Sequence, residues 1–315
     1  MEIKKATFAG SWYPANGNEC EDQIKQFLTE KYGPVKGSFV GGIVPHAGWF
    51  FSGSIACRVI ASIALSTAQT IASEQKGVAD ILTPKKVDVV FVFGMHLNPE
   101  ANPCVMVNGA WQTPFGDLPV HEQLAAQFIK EMSKLNNKVS VRSESPYSFP
   151  EENTIELQLP FIKYFFPDSA IVPVGIPPCD IAETVGNAAF KSAEKLGLNV
   201  VVLGSTDMTH YGSNYSFTPA GSGTKYTDLT KALDWVKNDN DPKAINAMCS
   251  MNCSDIIFEG LQNRNLCCSG AVAAAAAAAK CMGAVKGIAF DYTTSYDKHP
   301  GVSFVGYSGI LFSII

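Results

Sequence analysis

The sequence predicts an α/β fold, arranged as a single domain over residues 1–315 with a mostly parallel central sheet flanked by helices. Three observations support this prediction. Short apolar runs alternate with helical patterns along the whole chain. Several of these runs are apolar at nearly every position, which is typical of parallel strands buried on both faces. The chain shows no internal repeat and no clear linker, and 315 residues suffice for one large α/β domain.

The first half of the chain contains a clear buried strand at 87–93, which is apolar at every position but one. Asn108-Gly109 is a strong turn signal, and it predicts a hairpin between short strands at 105–107 and 111–113. The other elements predicted in this half are a strand at 39–44, a polar loop at 74–86, and helices at 21–32, 53–73 and 121–135.

The second half continues the alternation of strands and helices. Pro160 lies inside a helical pattern at 153–165, where its missing N–H should kink or restart the helix. Three short helical patterns precede residue 261. The remaining predicted elements are strands at 170–174, 199–203, 287–292 and 303–315, helices at 181–196 and 271–279, and a Gly/Ser-rich loop at 213–224.

Composition and charge exclude several classes of protein. Hydrophobic residues make up 46% of the chain and charged residues 17%, which is ordinary for a globular protein. The net charge is −5 and there is no long basic run, so we expect no nucleic-acid partner. The N-terminal residues lack the apolar core of a signal peptide, and no uninterrupted apolar segment is long enough to span a membrane. The nine irregularly spaced cysteines then indicate reduced thiols and a cytoplasmic protein.

Titratable side chains follow three of the predicted strands. His46 and His96 each come directly after an apolar run, and Asp207 and His210 follow a third. In an open α/β sheet, ligands bind beyond the carboxyl ends of the strands, so these segments predict a shared site. A single histidine here could equally be a packed turn residue, and Asp207 could be the N-cap of a helix.

Cys267 is the fourth element of the predicted site. It lies just before the alanine-rich helix, where backbone N–H groups and the helix dipole favour a thiolate. Two imidazoles and a thiolate can hold a transition metal with positions left open, and Asp207 and His210 would then act as acid/base groups. The alternative is that Cys267 is a small buried hydrophobic residue.

Several short motifs, in order along nearly the full chain, resemble those of one known family. They are Ala9-Gly10-Ser11-Trp12-Tyr13-Pro14, Pro45-His46-Ala47-Gly48, Trp111-Gln112-Thr113-Pro114, Glu156-Leu157-Gln158-Leu159-Pro160-Phe161, Ser205-Thr206-Asp207-Met208-Thr209-His210-Tyr211-Gly212 and Val305-Gly306-Tyr307. The chain resembles the Memo family, also called protein B of the AmmeMemoRadiSam system, which is similar to class III extradiol dioxygenases of the LigB type. The resemblance implies a LigB/Memo-like fold.

The resemblance also implies roles for individual residues. The metal ligands of the family match His46, His96 and Cys267, and its later Asp and His match Asp207 and His210. The related dioxygenases hold Fe(II), so Fe(II) is the expected metal, with zinc or copper as alternatives. A radical SAM protein is the partner that the system's name implies.

This chain departs from the family pattern at several positions. The loop before His96 contains Met95 where the family has a different sequence, and Asn153 stands where the family has a histidine. Cys268 follows Cys267 in place of the family's glycine, so either cysteine could be the metal ligand. Residues 64–85 are interpreted as an insertion.

We therefore expect a metal-dependent oxidoreductase of dioxygenase-like architecture, acting on a small-molecule or peptide ligand. The aromatic residues Trp12, Tyr13 and Trp49, with Phe50 beside them, are the predicted substrate contacts. A non-catalytic metal- or peptide-binding protein is the first alternative. A zinc hydrolase is the second, because three protein ligands with an open position can also activate water.

Overall fold

The computed structural model describes residues 1–30, 33–74, 86–136, 138–219 and 229–315. The loop predicted at 74–86 and the second half of the predicted insertion lie almost entirely outside these residues, as does the end of the Gly/Ser-rich segment at 213–224. The strands are β1 (Ile3–Lys4), β2 (Phe39–Val44), β3 (Val89–Gly94), β4 (Cys104–Met106), β5 (Ala110–Trp111), β6 (Leu118–Pro119), β7 (Arg142–Glu144), β8 (Ala170–Gly175), β9 (Val200–Ser205), β10 (His210–Tyr211), β11 (Lys286–Thr294) and β12 (Phe304–Ser313).

The helices alternate with these strands along the chain. They are α1 (Gly17–Thr29), α2 (Ser54–Glu74), α3 (Glu122–Leu135), α4 (Asn153–Glu156), α5 (Leu159–Phe165), α6 (Ile181–Leu196), α7 (Leu229–Trp235), α8 (Asp241–Ser250), α9 (Cys253–Phe258), α10 (Ser269–Cys281) and α11 (Ser295–Lys298). A π-helical turn at Trp49–Gly53 precedes α2. The helix predicted at 153–165 is interrupted and restarts with Pro160 in the first turn of α5, as its missing N–H requires.

A mixed sheet forms the centre of the described structure and confirms the predicted α/β fold. Its strand order is β10-β12-β2-β9-β3-β8-β4-β7, and β11 pairs with β12. The four central strands β2, β9, β3 and β8 are parallel. Antiparallel pairs flank them, because β12 runs antiparallel to β2 and β4 runs antiparallel to β8. The central strands are buried on both faces, which explains their continuous apolar sequences.

The hairpin predicted around Asn108-Gly109 is wrong. The strand before the turn, β4, joins the central sheet between β8 and β7. The strand after it, β5, pairs with β1 and β6 in a separate three-stranded sheet. Gly109 does adopt the positive φ of 78° that the turn signal anticipates. The chain uses it to pass from one sheet to the other, because the N-terminal residues Ile3 and Lys4 offer β5 a competing partner.

Two hydrophobic layers cover the faces of the sheet. Helices α1, α2 and α5 pack on one face, and α3, α6, α8, α9 and α10 pack on the other. The alanines of α10 are fully buried between the sheet and α6. At Gly186 of α6 a Cβ atom would lie 2.3 Å from the carbonyl oxygen of Ala274, so small residues permit this close helix contact.

One helical stretch of the described chain, Trp49–Ser66, is long and apolar enough by composition alone to cross a membrane, with a mean hydropathy of 1.4. Of this stretch, 72% is buried inside the fold, where α2 packs against β2 and β12. Its apolar character is therefore that of a core helix.

Candidate metal centre

Three functional side chains follow parallel strands at the same offset. His46 lies two residues beyond β2, His96 two residues beyond β3, and Asp207 two residues beyond β9. Because these strands are parallel neighbours in the order β2-β9-β3, their carboxyl ends meet at one edge of the sheet. The structure brings the three residues together there, at the position where open α/β sheets bind ligands.

His46 is held in place through both its backbone and its ring. Its backbone N–H donates to Oδ1 of Asp207 at 2.7 Å, and its Nδ1 lies 3.0 Å from Oγ of Ser205. The side chain is only 2% exposed. With Nδ1 bonded to the serine, Nε2 is the ring atom directed toward Cys267, at 3.3 Å from the sulfur. This orientation leaves Nε2 as the ligand atom.

His96 completes a pair of imidazoles at the mouth of the site. The rings of His46 and His96 are nearly perpendicular, with centroids 5.1 Å apart. Unlike His46, His96 is exposed. Met95 before it has a φ of 72°, which is unusual for a residue with a side chain, and this turn redirects the chain after β3.

Cys267 approaches the histidines from the loop before α10. Its backbone N–H donates to the carbonyl of Asp207 at 3.1 Å, and the N–H of Asp207 donates to its sulfur at 3.2 Å. These two bonds tie the cysteine loop to the end of β9. Hydrogen bonds to the sulfur favour the thiolate over the thiol.

One ligand atom from each of His46, His96, Cys267 and Cys268 lies within 4.8 Å of all the others. A tetrahedral ion bound at ordinary metal–sulfur and metal–nitrogen distances holds sulfur and nitrogen about 3.6 Å apart. The observed 3.3 Å between Sγ of Cys267 and Nε2 of His46 is close to that spacing. The donor set therefore fits a transition metal, with two imidazoles and a thiolate as its natural ligands.

The two cysteines differ in their protonation. Burial alone would raise the pKa of Cys267, but the hydrogen bond from Cys268 and the nearby His46 outweigh it and hold that pKa well below its ordinary value. Burial and the adjacent thiolate raise the pKa of Cys268 well above its ordinary value. Cys267 is therefore the group that ionises, and the Cys268 sulfur, 3.8 Å from it, keeps its proton. Since the thiolate is the form that binds metal, Cys267 is the better ligand of the two.

The imidazole of His46 carries the matching positive charge. Burial alone would lower the pKa of His46, but the charges of Asp207 and Cys267 outweigh it and raise that pKa to about 9. The pKa of His96 is raised as well, because the loss of hydration, which would lower it, is outweighed by the hydrogen bond and the charge of Cys267 together. Without metal, the centre is thus an imidazolium–thiolate pair. A bound cation would take the place of the protons.

Asp207 and His210 lie beside this cluster. Burial raises the pKa of Asp207, and the positive charge of His46 opposes that effect. Its Oδ2 lies 3.9 Å from Nε2 of His46. His210, in β10, has its Nδ1 3.0 Å from the carbonyl of Met208. A carbonyl oxygen only accepts, so Nδ1 carries the proton and Nε2 is free to accept one.

A cavity of about 560 Å³ opens above the centre. His46, His96, Asp207 and His210 all line it, so the structure brings these four predicted residues to one space. The other lining residues are Ser11, Trp12, Ala47, Gly48, Phe50, Phe51, Asn153, Tyr215, Val305 and Tyr307.

The sequence model of a family described as Memo-like protein matches residues 4–311. The chain belongs to the Memo family. MEMO1 family proteins of Pyrococcus furiosus and Nitrosopumilus maritimus are each 28% identical to it, over 98% of this chain and over 98% and 99% of their own lengths. A MEMO1 family protein of Methanopyrus kandleri is also 28% identical, over 96% of both chains.

Among solved structures, an uncharacterized protein of Escherichia coli K12 overlaps 73% of this Memo family chain and 87% of its own. The sequence identity is 12% and the TM-score 0.38, which is too low to carry an argument.

The three aromatic residues predicted as substrate contacts occupy different places in this Memo family protein. Trp12 is 41% exposed and lines the cavity. Trp49 is 2% exposed, with its ring stacked on Phe161 at 4.1 Å, and Tyr13 is 4% exposed and packs against Trp49 at 5.6 Å. Tyr13 and Trp49 are core residues because their large apolar rings fill the space between α1, α2 and α5. Trp12 is the one of the three that stays a predicted substrate contact.

Sequence reasoning assigned no site role to Tyr215 or Tyr307, although both line the cavity of the Memo family protein. The ring of Tyr215 meets that of His210 edge-on, with centroids 4.9 Å apart. Tyr307 is buried in β12, and burial together with the charge of Asp207 raises its pKa. Tyr307 belongs to a family motif, which was a usable signal. Tyr215 lies in a short 3-10 turn at Ser213–Tyr215, where no residue pattern marks it.

Proposed function

We propose that this Memo family protein is an Fe(II)-dependent oxidoreductase whose metal is held by His46, His96 and Cys267. The observation that carries the proposal is the 3.3 Å approach of the Cys267 sulfur to Nε2 of His46, within a four-residue cluster whose ligand atoms lie within 4.8 Å. Two imidazoles and one anionic ligand, with positions left open, form the type of site that non-haem Fe(II) oxygenases use. Here a thiolate takes the place of their carboxylate, and this softer ligand favours copper or zinc more than the dioxygenase site does.

When bound, the metal would supply the electron-transfer chemistry of the reaction. The protein's own contribution is to bind the substrate and to move a proton. His210 is placed for the second task, since its Nε2 has no hydrogen-bond partner among the described residues and its side chain lines the cavity. We assign it as the base that accepts a proton from a substrate hydroxyl. Asp207 orients the backbone of His46 and counters the charge of the centre.

The cavity wall favours a small ligand with apolar surface. Trp12, Phe50 and Tyr215 stand at its rim and are 41%, 66% and 38% exposed. None of the described residues that line it is a lysine or an arginine. An anionic ligand would therefore find no fixed cationic side chain other than histidine. We propose a small aromatic hydroxyl compound as the substrate class, since it suits both the rim and the base.

Metal analysis of protein purified without oxygen tests the metal site. Wild-type protein is expected to hold about one iron per chain, and His46→Ala and Cys267→Ser are expected to lose it. Lys134→Ala on α3 is the control, because its side chain is exposed and far in the fold from this edge of the sheet. Protein without metal, or variants with unchanged metal content, would contradict the proposal. Zinc in place of iron, with hydrolysis of an ester or amide, would identify a hydrolase.

Oxygen uptake with a panel of aromatic hydroxyl compounds tests the reaction. His210→Gln is expected to retain its iron and to consume oxygen about 100-fold or more slowly, which is the usual contribution of a general base. An iron-loaded wild-type protein that consumes no oxygen across the panel would instead be a non-catalytic metal- or peptide-binding protein. A cytoplasmic location and a radical SAM partner stay predictions, which co-purification from cells of the source organism can test.

A further inference from the structure

We propose that the segment Glu152–Gln158, hereafter the bridging segment, positions both histidine ligands, with Thr154 and Gln158 as its positioning residues. The proposal rests on the proposed metal site. It assigns a role to a stretch of chain that supplies no metal ligand. The stretch includes the short helix α4, and it contacts the chain just before each of the two ligand histidines.

The bridging segment holds the His46 loop by two side-chain amides. Nε2 of Gln158 donates to the carbonyl of Pro45 at 2.9 Å, and Nδ2 of Asn153 donates to the carbonyl of His46 at 3.2 Å. The N–H of His46 is already bonded to Asp207. The backbone of His46 is thus fixed from both sides, and the imidazole has little freedom to follow a displaced metal.

The same segment holds the His96 loop by a hydroxyl. Thr154 accepts a hydrogen bond at Oγ1 from the N–H of Met95, at 2.8 Å. This bond falls on the residue with the positive φ, a backbone conformation that residues other than glycine rarely adopt, so it supports the turn where support is needed. A Cβ at Gly94 would lie 2.2 Å from Oγ1 of Thr154, so the glycine lets the end of β3 approach the threonine.

Thr154 is itself oriented within the bridging segment. Its hydroxyl donates to Oε1 of Glu152, and the same carboxylate oxygen accepts from the N–H of Ile155 at 2.9 Å. Because the proton of Thr154 is committed to Glu152, its lone pair is directed to Met95. The carboxylate of Glu152 acts on Met95 only through Thr154, because it fixes the direction of the Thr154 hydroxyl.

Gln158 would be a poor choice for stability alone. It is fully buried, and its Oε1 has no hydrogen-bond partner among the residues that the structure describes. Its neighbours in sequence are the buried Leu157 and Leu159. An apolar side chain of similar size would avoid the cost of an unpaired buried oxygen. The hydrogen bond from its amide to the carbonyl of Pro45 explains why a glutamine occupies this buried position.

A third contact links the bridging segment to the cavity rim. The carboxylate of Glu156 accepts hydrogen bonds from the N–H of Phe8 at 2.7 Å and from the hydroxyl of Tyr13 at 3.0 Å. The chain between these residues carries Trp12. The bridging segment therefore contacts the loops of His46 and His96, and also the N-terminal residues around the exposed Trp12.

Titration with Co²⁺ alone, under anaerobic conditions, tests the proposal without any assay of activity. The variants are Thr154→Val and Gln158→Met, which remove the hydrogen bond and keep the volume. We expect each to weaken Co²⁺ binding by about 10- to 100-fold and to shift the visible d–d bands, which report the geometry of the ligands. Thr154→Ser keeps the hydroxyl and is expected to restore wild-type binding.

Ser169→Ala is the matched control. Ser169 is buried and donates a side-chain hydrogen bond to the carbonyl of Val87, at the opposite end of β3 and β8. It should lose stability as the test variants do but keep the Co²⁺ affinity and spectrum of the wild type. If Thr154→Val does not fold, the Co²⁺ affinity and spectrum of Gln158→Met alone test the proposal.

Unchanged Co²⁺ affinity and spectra in folded Gln158→Met and Thr154→Val would overturn this proposal and leave the metal site intact. Changes of equal size in Ser169→Ala would overturn it too, because general loss of stability would then explain them. Failure of the wild-type protein to bind Co²⁺ would overturn both this proposal and the proposed metal site.

Discussion

The backbone N–H of His46 donates a 2.7 Å hydrogen bond to Oδ1 of Asp207, while Oδ2 of the same carboxylate lies 3.9 Å from the imidazole Nε2. One side chain from the end of β9 therefore acts on both the main chain and the ring of a residue at the end of β2. The two strands are parallel neighbours, and Val44 pairs with Ser205 at the last position before the site. This register is what places the carboxylate beside the histidine.

Replacement of Asp207 by asparagine should lower the pKa of His46. The carboxylate is the largest of the charges that raise this pKa to about 9, and asparagine keeps an oxygen for the backbone N–H but removes the charge. The measurement is an NMR titration of the imidazole in metal-free protein. Asp88→Asn, at a half-buried carboxylate near the other end of the sheet, should leave the value unchanged. An equal His46 pKa in wild type and Asp207→Asn would contradict this account.

The stability of the metal-free protein should depend on pH through His46. Its pKa is raised on folding from 6.5 to about 9, so the protonated ring contributes stability that is complete below pH 6.5. This contribution, at most about 3 kcal/mol, should be lost as the pH rises through about 9. Urea unfolding of wild type and His46→Gln measures it as the difference in free energy of unfolding. A difference that grows toward pH 10 would have the wrong sign.

Metal binding at pH 7 should release protons. The imidazole of His46 must lose its proton to bind a cation, and at pH 7 it is protonated because its pKa is about 9. We expect about one proton per ion from this group, and a further fraction from His96, whose pKa is also raised. Calorimetric titration with Zn²⁺ in buffers of different ionisation enthalpy gives the number. His46→Gln should release fewer protons, and heats that are independent of the buffer would refute the assignment.

Substitutions at the two adjacent cysteines should have different effects. Cys267→Ser is expected to lose the metal, since a serine hydroxyl does not ionise at neutral pH. Cys268→Ala removes only the donor to the thiolate and a buried side chain, so it should keep the metal at the cost of about 1 kcal/mol of stability. Metal content and urea unfolding separate the two effects. Loss of metal in Cys268→Ala alone would show that Cys268 is the ligand.

The tryptophans at positions 12 and 49 should also differ. Trp49→Leu leaves a void beside Phe161 and the Leu157 carbonyl without its donor, so we expect a loss of about 3 kcal/mol or more in the free energy of unfolding. Trp12→Leu changes a half-exposed ring and should cost less than about 1 kcal/mol. It should instead weaken binding of an aromatic ligand, which quenching of tryptophan fluorescence can follow. A large stability loss in Trp12→Leu would place it in the core.

The position of the site at one edge of the sheet could be predicted, because the ends of the buried strands can be recognised in the sequence. The apolar runs before His46 and His96 end where the buried strands end, so the histidines had to emerge at one edge. Cys267 was predictable only through the resemblance to a family and its place before a helix. Its distance from His46 depends on hydrogen bonds between two loops, which no local pattern records.

Other features could not be predicted for the same physical reason. Tyr13 and Trp49 stand beside site residues in the sequence, yet their rings point into the core, because α1 and α5 cover that side of them. The pairing of β4 and β5 was predicted wrongly. A turn signal gives the position of a turn, but it does not say with which other strands the two flanking segments will pair. Both the burial of these rings and the pairing of these strands depend on contacts between residues far apart in the sequence.

The three proposed ligands differ in their exposure to solvent. His96 is exposed, Cys267 is partly buried and His46 lies at the bottom. We therefore expect an ion entering from solvent to meet His96 before His46 and to leave by the reverse route. Substitution of His96 should therefore speed both the binding and the release of the ion. Substitution of His46 removes the more buried of the two proposed histidine ligands. Substitution of His96 is thus expected to change both the exchange rate and the affinity of the ion, whereas substitution of His46 is expected to act mainly on its affinity.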